Sequence, residues 1–172
     1  MNRWTAVAAA CCALFVAGGF AWHGPRNPQA AHEHAAHQDS SRRAEDRALV
    51  EHELSELREK IAGREKQPAT EVFKNIQLFK TMEAGRLPGM MGSWSNALGV
   101  TCKHCHVIDQ WEKEDRPEKQ IARDMVGMVS EINTHLLKNI KNLDSPEPRI
   151  GCWTCHRGKV IPEFFPPREK KE

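Results

Sequence analysis

One pentapeptide pattern occurs twice in this chain, as "CKHCH" at 102–106 and as "CWTCH" at 152–156. No other feature restricts the fold as strongly. C-x-x-C-H is the attachment signature of c-type haem. On one helical turn, cysteines three apart lie along the same edge and meet the two vinyl groups as thioethers. The histidine after them then presents its imidazole to the iron. Cys102, Cys105, Cys152 and Cys155 are therefore the expected attachment points, and His106 and His156 the expected proximal ligands, for two covalent haems c. Structural zinc also uses paired C-x-x-C, a dithiol redox switch uses one pair, and an exported chain can form disulfides. None of these needs a histidine directly after the second cysteine, and that residue is present both times.

The N-terminus points to export. Arg3 precedes an uncharged apolar run from Ala6 to Phe20, and "GFA" at 19–21 offers small residues for cleavage. Residues 1–22 are read as a signal peptide or N-terminal anchor. Retention is open because the apolar character reaches Trp22, and lipidation at Cys11 or Cys12 is a third, weaker option. Each places the remainder in the periplasm, in some cases held at the cytoplasmic membrane. Lys and Arg total 25 against 23 Asp and Glu. With no basic stripe, nucleic acid is not an expected partner.

Residues 23–41 read as a flexible His/Ala-rich tether, in which "HEHAAH" at 32–37 is more simply solvated linker than metal site. Residues 42–66 read as a charged amphipathic helix and its exit, with Val50, Leu54, Leu57 and Ile61 forming a narrow stripe and Gly63 and Pro68 ending it. The haem-bearing unit is placed at 70–163. It should begin with a helix over "TEVFKNIQLFK" capped by Thr70, and then a turn at 83–89. A short helix at 90–98 should stop at Gly99, and a longer one should run from Pro117 to about Asn142. Residues 164–172 are a polar tail. No segment reads as a strand. The expected fold class is mostly α: a small multihaem c-type cytochrome, with helix–turn–CxxCH units packed around two covalent haems. Tyr is absent and Phe and Trp are 6 and 5, so the porphyrins would supply much of the apolar bulk.

The sixth ligands decide the chemistry, since a distal Met favours electron transfer and an open site favours small-ligand binding. Met90 and Met91 lie on the helix just before the first motif. Met125, Met128 and His135 lie at helical spacing before the second. Trp94, Trp111 and Trp153 are candidates to pack on porphyrin. Arg123, Arg149, Arg157 and Lys159 are candidates to meet propionates, with ordinary salt bridges the simpler role.

The stretches "VFKNIQLFK", "MMGSWSNALGVTCKHCH", "IARDMVGMVSEIN" and "CWTCHRGKVIP" resemble the cytochrome c subunit of photosynthetic reaction centres and its small relatives. The resemblance covers roughly 70–163 and is similar to the C-terminal half of the full subunit. It implies that Met91 is the distal ligand of the first haem and favours Met128 for the second, with His135 next. It also implies a carrier exchanging electrons with another cytochrome or a membrane complex. An enzyme or gas sensor with an open second haem is the rival expectation. Glu147 is the only nearby upstream carboxylate that could act in such chemistry.

Overall fold

The computed structural model describes residues 28–164 of the 172. The described residues fall into two units, divided between Ala36 and His37. Of the first, only the start of helix α1 is described. The expected signal segment lies outside the described residues, as does all but the first residue of the tail.

Helix α1 runs Pro28–Lys60. Residues 28–41, expected as tether, are therefore helical. Ala30, Ala31, Ala35 and Ala36 are the strongest helix formers, and Pro28 is tolerated in a first turn. Low hydrophobicity was the wrong guide there. The helix ends at Lys60, before a series of turns closed by Ile61 N–H to Arg58 O and Arg64 N–H to Ile61 O. The apolar stripe does what its spacing implies. Val50, Leu54 and Ile61 are buried, each stabilising the packing by ~2 kcal/mol.

The expected helix over 70–80 is mostly absent. Helix α2 covers only Ala69–Val72, capped by Pro68 rather than Thr70. Phe73 is extended, and Asn75 and Phe79 adopt φ of 57° and 54°. The cause is non-local. Ala69 N–H bonds to Met82 O at 2.8 Å, and Ala84 N–H bonds to Gln67 O at 2.8 Å. The chain must return beside itself between these points, whereas a helix from Thr70 to Lys80 would hold its ends ~15 Å apart.

The expected turn at 83–89 is instead a 3-10 turn, Ala84–Arg86, leading directly into helix α3, Leu87–Leu98. Pro88 sits in the first turn of α3, and Gly99 ends it with φ 66° and ψ 41°. Gly92 allows close approach of α1, since a Cβ there would lie 2.7 Å from Leu54 Cδ1.

Helix α4, Pro117–Glu131, continues as a π-helical segment, Ile132–Leu136, and a 3-10 turn, Leu137–Asn139. Helix α5, Cys152–His156, is the second motif itself. Among the described residues there is no strand, only isolated bridges at Pro68–Glu83 and Val107–Gln110. The fold class is mostly helical, as the sequence implies.

Candidate functional site

The first motif comes directly after the Gly99 stop. Cys102–His104 form a 3-10 turn, and His106 N–H bonds back to Cys102 O at 3.0 Å. Cys102 through His106 thus make one compact turn. In the second motif the same residues form α5. Thr154 N–H bonds to Gly151 O at 3.0 Å, and Gly151 N–H donates to Thr154 Oγ1 at 3.0 Å. Arg157 and Gly158 leave that turn in the left-handed region, with φ of 48° and 81°.

The two histidines share a feature with chemical meaning. His106 Nδ1 lies 3.3 Å from Trp111 O, and His156 Nδ1 lies 3.0 Å from Lys159 O. A carbonyl oxygen only accepts, so in each ring Nδ1 is the donor, which leaves Nε2 as the nitrogen that can face a metal. This is the arrangement that orients and tautomerises an imidazole for a metal. The Trp111 ring packs on His106 with centroids 5.4 Å apart at 62°. Burial first, then the Lys119 charge, lowers the His106 pKa below its usual value, so the ring is neutral at pH 7.

Cys102, Cys105, Cys152 and Cys155 are free thiols. Burial first and the hydrogen bond to the Glu53 carboxylate second push Cys102 up to about 12. Burial raises Cys105 and Cys152 too. Zinc needs thiolates, and among the described residues no three His, Cys, Asp or Glu side chains converge as a metal set. Glu53 was not singled out by its sequence. It is buried on α1, and its Oε2 has no hydrogen-bond partner.

Met91 is part-buried on α3 and by helical spacing shares a face with Leu87, Trp94 and Leu98. Trp94 packs on Phe79, with ring centroids 6.3 Å apart. Helix α3 packs on α5, a pairing the sequence did not suggest. Gly158 N–H bonds to Ala97 O at 2.8 Å, and a Cβ on Gly99 would lie 2.2 Å from Gly158 O.

On α4 and its continuation, Ile121, Met128 and Leu136 are exposed to 57%, 45% and 54%, and no residue of α4 is buried. Met125 is part-buried. The expected common face of Met125, Met128 and His135 does not hold at its end. His135 falls within the π segment, where the i→i+5 bonding departs from α-helical spacing. His135 points its Nδ1 at Glu131 Oε2, 2.8 Å away, from a side chain 66% exposed.

A third feature was illegible beforehand. Within the π segment, Asn133 Nδ2 donates to Ile150 O at 2.9 Å, and Ile150 N–H donates to Asn133 Oδ1 at 2.8 Å. This reciprocal pair ties the residue two before Cys152 to the helix. Of the cations considered for propionates, Arg123 is committed to Glu114 at 2.7 Å, Arg149 lies 3.6 Å from Glu147, and Lys159 pairs with Glu163.

Cysteine pairs on single turns, imidazoles tied through Nδ1 and an open apolar face on α4 all fit a large, flat, covalently held haem. A separate groove of about 550 Å³ between α1, α3 and α5 includes Arg47, Val50, Leu54 and Trp153 in its walls. None of the four cysteines or two motif histidines lines it.

Comparison with known proteins agrees with this chemistry. The profile of the family described as photosynthetic reaction centre cytochrome C subunit matches residues 26–171. The photosynthetic reaction center cytochrome c subunit of Thermochromatium tepidum is 28% identical over 98 residues, 56% of this chain and 23% of that protein. Cytochrome c-554 of Chloroflexus aurantiacus is 31% identical over 83 residues, 48% of this chain and 20% of the relative. The reaction center subunit of Rubrivivax gelatinosus is 23% identical over 97 residues, 55% of this chain and 25% of its own length. The chain thus spans a quarter or less of the length of these curated relatives. The chain belongs to the photosynthetic reaction centre cytochrome c subunit family, whose members are electron-transfer c-type cytochromes carrying covalently bound haem.

Proposed function

We propose that this protein is a dihaem c-type cytochrome of the periplasm, carrying electrons between redox partner proteins. The observation that carries the reading is the matched pair of CxxCH turns whose histidines are each tied through Nδ1 to a backbone carbonyl. Cys102 and Cys105 would hold one haem, and Cys152 and Cys155 the other. His106 and His156 would supply the proximal nitrogens, and Met91 and Met128 the distal sulfurs. Bound there, the haems supply an Fe(III)/Fe(II) couple. The chain's own work is to fix the ligands, exclude water from the first site and set the potentials. Nothing in this arrangement calls for a substrate-transforming acid–base pair, and Glu147 is solvent-exposed.

Partners are another cytochrome or a membrane electron-transfer complex, and the apolar run at 6–20 is the proposed tether or signal. Among the described residues no helix is long and apolar enough to cross a membrane. The rival reading, an enzyme or gas sensor open at the second haem, draws on the exposure of Met128 and on His135 turning to Glu131.

Expression in a host with haem-maturation machinery tests both readings. Haemochrome absorbance and intact mass should give two covalent haems per chain, and a mass without haem would end both. Carbon monoxide added to the reduced protein should bind neither iron at stoichiometric gas. Ready uptake at one haem per chain, unchanged in Met128→Ala, would favour the sensor.

A further inference from the structure

The Trp111 carbonyl that receives His106 Nδ1–H has a second donor. Lys119 Nζ bonds to it at 2.8 Å, closer than the histidine at 3.3 Å. This ammonium is not a roaming surface charge. Its side chain is 11% exposed, it also donates to Lys113 O at 2.8 Å, and it lies 3.2 Å from Glu114 Oε1. All three N–H donors of Lys119 are thereby occupied, so its position is fixed from three directions. Glu114 is fixed in turn by Arg123, which is 12% exposed and reaches both carboxylate oxygens at 2.7 and 2.8 Å. Asn75 Nδ2 also donates to Glu114 Oε1.

The geometry points to Lys119 as a positioning residue that raises the potential of the first haem by weakening the proximal histidine's hydrogen bond. The inference rests on the haem reading above. The acceptor behind a metal-bound histidine sets how basic the ligating nitrogen is. A strong acceptor draws the Nδ1 proton away, gives the ring imidazolate character and stabilises ferric iron. Here a cation withdraws density from the accepting oxygen and occupies one of its two lone pairs. His106 then remains a neutral, weaker donor, and the ferrous state gains. The positive charge of Lys119 acts in the same direction through space, although Glu114 offsets it. The second motif is the internal control. His156 Nδ1 meets Lys159 O at 3.0 Å, and among the described residues no side-chain cation bonds to that oxygen.

The experiment compares wild type, Lys119→Met, Lys119→Arg and Arg123→Gln as holoproteins carrying both haems. Haem stoichiometry of the wild type is measured first, and a chain without haem would overturn this inference together with the function. With two haems present, spectroelectrochemical titration should show the first haem in Lys119→Met shifted about tenfold toward ferric, a fall of about 59 mV for one electron. The second haem should stay within twofold of wild type. Lys119→Arg keeps a cationic donor and should recover most of the shift. Arg123→Gln removes a charge from the same cluster without touching Trp111 O, so it should move the potential less than Lys119→Met does. In the reduced protein, the His106 Nδ1–H proton resonance should move downfield in Lys119→Met as its bond strengthens. The inference is overturned by an unmoved first haem, by equal shifts at both haems, by equal effects of Lys119→Met and Arg123→Gln, or by an unchanged Nδ1–H resonance. Should Lys119→Met fail to fold, Lys119→Gln with the same readouts decides the matter.

Discussion

Gly99→Ala should be far more damaging than its size suggests. Gly99 joins the helix bearing Met91 to the first motif and touches the turn that leaves the second. Its φ is 66°, and a Cβ would lie 2.2 Å from the backbone oxygen of Gly158. The left-handed conformation alone costs an Ala ~1 kcal/mol. Carbon and oxygen ordinarily stay ~3.3 Å apart, so the two segments must separate by about 1 Å. That distance breaks the 2.8 Å bond from Gly158 N–H to Ala97 O, a further loss of ~1 kcal/mol. Residual overpacking against backbone, which cannot swing away, adds ~1–3 kcal/mol. The sum is ~3–5 kcal/mol. Gly63→Ala is the matched control, because Gly63 has φ 80° but nothing within 4 Å of a Cβ. It should lose only the conformational ~1 kcal/mol. Guanidinium unfolding of the holoproteins, monitored by far-UV circular dichroism, measures both. Equal losses in the two variants would refute the claimed contact between α3 and the turn after α5.

Two other perturbations probe the supports of each motif. Arg123 is the first cause, ahead of Lys119 and Asn75, that holds Glu114 at about 2 against its ordinary 4.5. A carboxyl depressed on folding contributes stability that is complete above 4.5 and is lost as pH falls through about 2. Solvent screens part of this, since the Glu114 side chain is 43% exposed. Glu114→Gln should flatten the stability profile across that window, and a slope equal to wild type would count against the cluster. Asn133→Leu removes both hydrogen bonds to Ile150 and should cost ~1–3 kcal/mol. Amide exchange at Ile150 should accelerate while that at Cys105 stays unchanged, and equal acceleration at both would argue against a local anchor.

What could be read from the sequence was what depends on near neighbours. Gly99 ends α3 because a glycine fits the left-handed exit, and Val50, Leu54 and Ile61 are buried because their spacing makes one stripe. The failures have a common cause in distance along the chain. Residues 70–80 carry an apolar pattern that suits a helix, yet closure between Gln67 and Ala84 overrides it. Glu53 is one of the many charges of the helix at 42–66, yet it lies buried beside Cys102. Lys119 carries no signal in the sequence, because its bond to Trp111 O depends on the return of the chain at Trp111. The pentapeptides announced their chemistry, but the groups that modulate it come from elements remote in sequence.

The π turn shows how one local irregularity links these levels. With α-helical geometry, His135 would fall in line with Met128, and a histidine on that face would be a ready competitor for the second iron on the proposed reading. His135 lies within the π segment and spends its Nδ1 on Glu131, one turn back. The same segment carries Asn133, whose amide grips Ile150 through both its N–H and its carbonyl. One short stretch thus anchors the approach to the second motif and carries the competing histidine with its carboxylate partner. On the proposed reading, ligand choice at the second site would depend on what this segment holds in place as much as on residue identity.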